Sequence, residues 1–173
     1  MKPEKLYSQL YNLFDKSTPV AADCGKLCNK ACCDGDDKNG MYLFPYEKVM
    51  YKNVQDSGIS VSKCDFLYNN GKTGADFAYC NGKCDRKFRP LACRIFPLLP
   101  YIDTFGNMKI IKDPRAYAVC PLARALHIDD FDARFVKNVR RCAKLLIKFD
   151  DIYNYLFDLS RLIDDSDWLF KER

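Results

Sequence analysis

Residues 24–33 read Cys24-Gly-Lys-Leu-Cys28-Asn-Lys-Ala-Cys32-Cys33, so four cysteines fall within ten residues. Between residues 23 and 40 the only other apolar side chains are Leu27 and Ala31. Ordering a backbone costs roughly 1–2 kcal/mol of entropy per residue, which so little apolar surface cannot offset. The pattern therefore predicts that either disulfides or a metal hold these thiols together.

Six further cysteines, at positions 64, 80, 84, 93, 120 and 142, bring the total to ten in 173 residues. The N-terminus lacks the apolar run of a signal peptide, and no window approaches the roughly 20 apolar residues of a membrane span. These features predict a cytoplasmic location, where clustered cysteines are more often metal ligands than disulfides. A secreted protein with all its cysteines paired is the competing interpretation, since ten is an even number.

Nine of the cysteines are candidate metal ligands, because thiolates that converge from short loops suit zinc and iron–sulfur clusters. They are Cys24, Cys28, Cys32, Cys33, Cys64, Cys80, Cys84, Cys93 and Cys120. Neighbouring side chains are expected to point apart, so Cys32-Cys33 indicates either two metal centres or a thiol beside a single centre. Four cationic side chains between residues 86 and 94 are expected to lower the pKa of nearby thiols.

Two other residues favour structural roles. Cys142 lies on the apolar stripe of a C-terminal helix, where cysteine packs as a small hydrophobe. His127 is the only histidine, and it has no partner motif, so we expect it at a helix end. The lack of other histidines argues against mixed Cys/His zinc fingers and against a cysteine–histidine catalytic pair elsewhere in the chain.

The length of 173 residues predicts a single domain, residues 1–173, in three parts. These are an amphipathic N-terminal helix over 3–16, a cysteine-rich metal-binding core over 24–122, and C-terminal helices over 129–173. Short strands are expected near 41–44, 59–61, 77–79 and 108–111, a polar turn over 34–40, and a docked apolar segment at 168–170. The predicted fold class is α+β, mostly helical, with an irregular centre that metal organises.

The formal charge of +5 is a weak indication of nucleic-acid binding. A divalent metal with four thiolates carries −2, so two such sites lower the +5 to +1. We identify no basic stripe on any predicted helix, only a small cluster at Arg140, Arg141 and Lys144. Metal ions are therefore the expected partners, with no membrane and no nucleic acid, and no feature identifies a protein partner.

Three segments together resemble a known family: the cysteine group at 24–33, then Cys64-Asp65-Phe66-Leu67, then Arg89-Pro90-Leu91-Ala92-Cys93-Arg94-Ile95-Phe96-Pro97. They are similar to the zinc- or iron-chelating, CxxCxxCC-type domain family, which includes the flagellin lysine N-methylases. The resemblance covers roughly residues 24–122. Two departures are the three-residue gaps between the first cysteines, where the family name implies two, and the additional Cys80.

The resemblance implies a zinc or iron–sulfur protein. The leading hypothesis is a cytoplasmic metal-binding protein that holds zinc or an iron–sulfur cluster through cysteines alone, in a structural or redox role; the sequence leaves enzymatic activity open. The alternative is a protein lysine N-methylase-like enzyme that carries an iron–sulfur cluster, although methylase activity belongs to longer members of the family. Neither hypothesis identifies a catalytic residue.

Overall fold

The computed structural model describes residues 1–33, 40–52, 57–80, 82 and 85–166. Within them the chain is α+β, with about 48% helix and 20% strand. The α-helices are α1 (Pro3–Asn12), α2 (Cys24–Leu27), α3 (Leu91–Ile95), α4 (Ala116–Val119), α5 (Pro121–Ala125), α6 (Ala133–Leu146) and α7 (Asp150–Ser166). The strands are β1 (Gly40–Tyr42), β2 (Ile59–Tyr68), β3 (Thr73–Cys80), β4 (Leu98–Ile102) and β5 (Met108–Lys112). Short 3-10 helices cover Ala31–Cys33, Glu47–Tyr51, Arg86–Phe88 and Ile128–Asp130.

The strands form two antiparallel sheets. In the larger sheet the order is β1-β3-β2, and β2 and β3 make a long hairpin. Its turn uses Asn69, Asn70 and Gly71 in left-handed conformations, which asparagine and glycine tolerate better than other residues. The smaller sheet is the hairpin of β4 and β5, paired from Leu98–Lys112 to Ile102–Met108.

One hydrophobic core joins the long helices to both sheets. Its fully buried members include Tyr7, Phe14, Leu91, Ile95, Leu98, Ile102, Phe135, Leu146, Ile152 and Tyr155. Strand β4 contacts both α6 and α7, and four of its five residues are buried, which explains its continuous apolar sequence. Helix α1 also packs against this core with its buried apolar face.

Several predicted elements are present with different bounds. The N-terminal helix ends at Asn12 instead of residue 16, and the long C-terminal helix begins at Ala133, where the Asp132 side chain accepts a hydrogen bond from the Phe135 backbone N–H at 2.9 Å. The strands expected at 59–61 and 77–79 are parts of the longer β2 and β3. Strand β4 was not predicted. The turn at 34–40 lies outside the described residues except for residue 40, and the apolar segment at 168–170 lies wholly outside them.

The prediction of an irregular centre that metal organises is wrong. Residues 59–80 form a regular hairpin, and residues 98–112 contain a second one. Tyr68 and Ala75 of the first hairpin and Leu98 of the second are buried in the common core. The sequence estimate failed because it counted apolar residues near the first four cysteines only, whereas the centre gains its apolar contacts from distant helices.

Candidate functional site

Two adjoining cavities gather cysteines from four segments of the chain, around residues 24–33, 80, 93 and 120. The small cavity, about 50 Å³, is lined by Cys24, Cys28, Cys32, Cys93 and Cys120. The large cavity, about 350 Å³, is lined by Cys32, Cys33, Cys80 and Cys93. Because Cys32 and Cys93 line both, the fold brings seven of the nine predicted ligands to one region of the molecule. We call this region the cysteine site.

Short elements hold these cysteines in place. Cys24 begins α2, where the Asp23 side chain accepts a hydrogen bond from the Gly25 backbone N–H at 3.1 Å. Cys80 ends β3 and Cys93 lies within α3. Cys120 lies between α4 and α5, and it is buried with Ala116 and Ala123 in a small apolar cluster separate from the main core.

Two predicted ligands are not part of this arrangement as described. Cys64 lies on β2 and packs against the main core, and its thiol donates to the Ala75 carbonyl at 3.5 Å. Cys84 lies outside the described residues. Cys142 is fully buried in the main core, as expected of a structural cysteine. His127 precedes a 3-10 helix and its backbone N–H donates to Asp130 at 3.0 Å, which confirms the expected helix-end position.

The adjacent pair Cys32-Cys33 differs from the sequence expectation. Both residues lie in a 3-10 helix, and their sulfur atoms are 3.9 Å apart instead of pointing away from each other. The thiol interaction with Cys32 lowers the pKa of Cys33 to about 6 and raises that of Cys32. The inference of two metal centres from this pair therefore loses its geometric basis.

The nine described cysteines form no disulfide with one another. The fully disulfide-paired alternative is therefore not what the fold shows for these residues.

The arginines around the cysteine site mainly hold backbone in place. Arg94 is 6% exposed, and its guanidinium donates to the carbonyls of Arg86, Lys87 and Arg89 at 2.8–2.9 Å. It also lies over the Tyr11 ring at 4.1 Å. Arg94 therefore fixes the segment that precedes Cys93, a role that no sequence pattern indicated.

A buried carboxylate supports the same segment. Glu47 is fully buried, and it accepts hydrogen bonds from the Leu91 backbone N–H at 2.6 Å, the Phe44 backbone N–H at 3.0 Å and the Tyr11 hydroxyl at 2.7 Å. Leu91 begins α3, so Glu47 holds the helix that carries Cys93. Two of its three partners, Tyr11 and Leu91, lie far along the chain, so no local sequence pattern indicates this role.

An ion pair also lines the large cavity. Arg115 donates to both carboxylate oxygens of Asp113, at 2.9 and 2.7 Å, and the Asp113 side chain is 4% exposed. A paired, bidentate geometry of this kind gives the wall a fixed shape.

The thiols are gathered but do not converge. Among the residues that the structure describes, no three His, Cys, Asp or Glu side chains lie close enough together to hold a metal ion. In the same part of the chain, no helix has the length and apolar character needed to cross a bilayer. No family model matches the chain, and no match was found among curated proteins or solved structures.

Proposed function

We propose that this chain is a metal-binding protein whose cysteine site holds zinc or an iron–sulfur cluster, in a structural or redox role. The observation that carries the proposal is that the cysteine group at 24–33 and the distant Cys80, Cys93 and Cys120 gather around two cavities that share Cys32 and Cys93. The resemblance to the CxxCxxCC-type domain family points to the same chemistry.

The chemical type of the candidate ligands suits zinc or an iron–sulfur cluster. Every candidate ligand is a thiol, and soft thiolates select zinc and iron–sulfur clusters over hard cations. In a tetrahedral zinc site with bonds of about 2.3 Å, the sulfurs are about 3.8 Å apart. The Cys32–Cys33 separation of 3.9 Å is close to that value, so these two sulfurs could share one metal.

The remaining sulfurs need to move to complete a site, because no group of three ligands is preassembled among the described residues. Deprotonated thiols release their protons on binding, so metal affinity should rise with pH. When bound, zinc would supply a structural link, and an iron–sulfur cluster would supply one-electron redox chemistry.

The test is anaerobic purification followed by metal and sulfide analysis and a visible spectrum. We expect bound metal in the wild-type protein and its loss in Cys93→Ser, because Cys93 lines both cavities. Cys142→Ala is the matched control and should keep the metal, since Cys142 is buried away from the cysteine site. Wild-type protein without metal, or equal loss in both variants, would refute the proposal.

The enzyme alternative, a lysine N-methylase-like protein, stays a separate hypothesis. A titration with the methyl donor tests it directly, and absence of binding would remove it.

A further inference from the structure

Helix α6 carries a cationic face whose side chains form no ion pair with a carboxylate of the described residues. Its sequence contains five basic residues and no acidic one. Together with Lys148, just beyond the helix, they are all exposed: Arg134, Lys137, Arg140, Arg141, Lys144 and Lys148. No ion pair joins any of these six to a carboxylate within the part of the chain that the structure describes. We call this surface the α6 basic face.

The five basic residues of α6 itself are equal in number to the formal net charge of the chain, +5. Removing the five basic residues of α6 from the 28 Lys and Arg leaves 23, which equals the 23 Asp and Glu. A shallow groove of about 600 Å³ runs along this surface, lined by Lys137, Arg140, Arg141, Lys144 and Lys148 among others.

We infer that the α6 basic face binds the phosphate backbone of a nucleic-acid duplex without reading its base sequence. From Arg134 to Lys144 the helix rises about 15 Å, which gives one positive charge per about 4 Å. One strand of a duplex carries one phosphate per about 3.4 Å of axis, so the two charge densities are similar. Lysine and arginine contacts to phosphate position a protein on a duplex but carry no sequence information directly.

Two other anionic partners, a membrane surface and an acidic protein, fit the α6 basic face less well. An interfacial membrane helix needs apolar residues on the side that enters the lipid, but the apolar side of α6 is buried in the core. None of the exposed large hydrophobic residues in the described chain lies on α6. Protein interfaces usually have an aromatic or aliphatic anchor at their centre and are depleted in lysine, and the exposed side of α6 has no such anchor.

The test compares two triple variants of equal charge change in the full-length protein as purified. The first is Lys137→Gln, Arg141→Gln and Lys144→Gln on the α6 basic face. The control is Lys2→Gln, Lys5→Gln and Lys16→Gln, three lysines that are exposed elsewhere. Glutamine has nearly the same helix propensity as lysine and arginine, and circular dichroism checks that both variants are folded.

Fluorescence anisotropy with two labelled 20-base-pair duplexes of unrelated sequence measures binding at 50 and 200 mM salt. With six phosphate contacts, the wild-type affinity should fall on the order of 10³-fold across this range. With three contacts remaining, the affinity of the α6 variant should fall only about 40-fold over the same salt range. This variant should also bind more weakly than wild type at 50 mM salt. The control should behave as wild type, and both duplexes should bind equally.

Three results would overturn the inference. One is no binding to either duplex at 50 mM salt. Another is an equal loss of affinity in both triple variants, which would reflect net charge alone. The third is binding to anionic phospholipid vesicles that depends on the α6 basic face when duplex binding does not.

Discussion

Replacing Glu47 by glutamine tests whether the buried hydrogen bonds around this carboxylate stabilise the fold. In the wild-type protein two buried backbone N–H groups, those of Phe44 and Leu91, each donate to a different carboxylate oxygen of Glu47. Glutamine has one acceptor oxygen, so one of these donors then faces an amide NH₂ group. A buried unsatisfied donor costs about 1–3 kcal/mol, and we expect Glu47→Gln to lower the free energy of unfolding by that amount.

Glu47→Ala removes both acceptor oxygens and should cost about 2–6 kcal/mol, since two donors lose their partner. The Tyr11 hydroxyl is less affected because it also lies 3.2 Å from the Tyr51 hydroxyl. Urea unfolding measures both variants, and the slope m should stay unchanged. Glu4→Gln is the control: Glu4 is exposed in the first turn of α1, and its loss should cost less than about 1 kcal/mol.

The pH dependence gives this prediction a second readout. Burial raises the pKa of Glu47 above its ordinary value of 4.5, although hydrogen bonds from Leu91, Tyr11 and Phe44 oppose the shift. Because the pKa of Glu47 is higher in the folded state than in the unfolded state, unfolding releases a proton at pH values between the two. The stabilising contribution is therefore complete below about 4.5 and declines as the pH rises through the folded value.

The advantage of the wild type over Glu47→Gln should consequently shrink as the pH is raised from 4.5. A stability difference below about 0.5 kcal/mol at pH 4.5, or an advantage that grows as the pH is raised from there, would show that the reasoning about this carboxylate is wrong.

Two further predictions concern the sheet and the cysteine site. Gly40→Ala would place a Cβ atom 2.0 Å from a backbone oxygen of β3, whereas Gly74→Ala meets nothing closer than 3.7 Å. We therefore expect a loss of about 1–3 kcal/mol for the first and a near-neutral second in thermal unfolding; equal effects would contradict the register of β1. Removal of metal by a chelator should leave amide-exchange protection in β4, α6 and α7 unchanged, because the main core contains none of the cysteines that line the cavities. Loss of that protection would mean that metal organises the fold after all.

Local patterns in the sequence were enough for the elements whose signals are periodic. The apolar stripe of α6 and the leucine and tyrosine spacing of α1 predicted both helices, because an amphipathic helix records its buried face in every turn. The start of α5 at Pro121 also agrees with a local rule, since proline is suited to the first turn of a helix. The cysteine cluster at 24–33 identified the region where thiols gather.

The rest depended on contacts between residues far apart in the chain. Strand β4 is a short apolar run that periodicity cannot separate from a buried helix. It is a strand because it pairs with β5 and packs against both α6 and α7. Glu47 accepts a hydrogen bond from Leu91, which is 44 residues away. Cys24 and Cys93 line the same cavity although 69 residues separate them. The α6 basic face was underestimated for a related reason. A cluster of cations is visible in the sequence, but only the tertiary structure shows that these side chains form no ion pair with a carboxylate of the described residues.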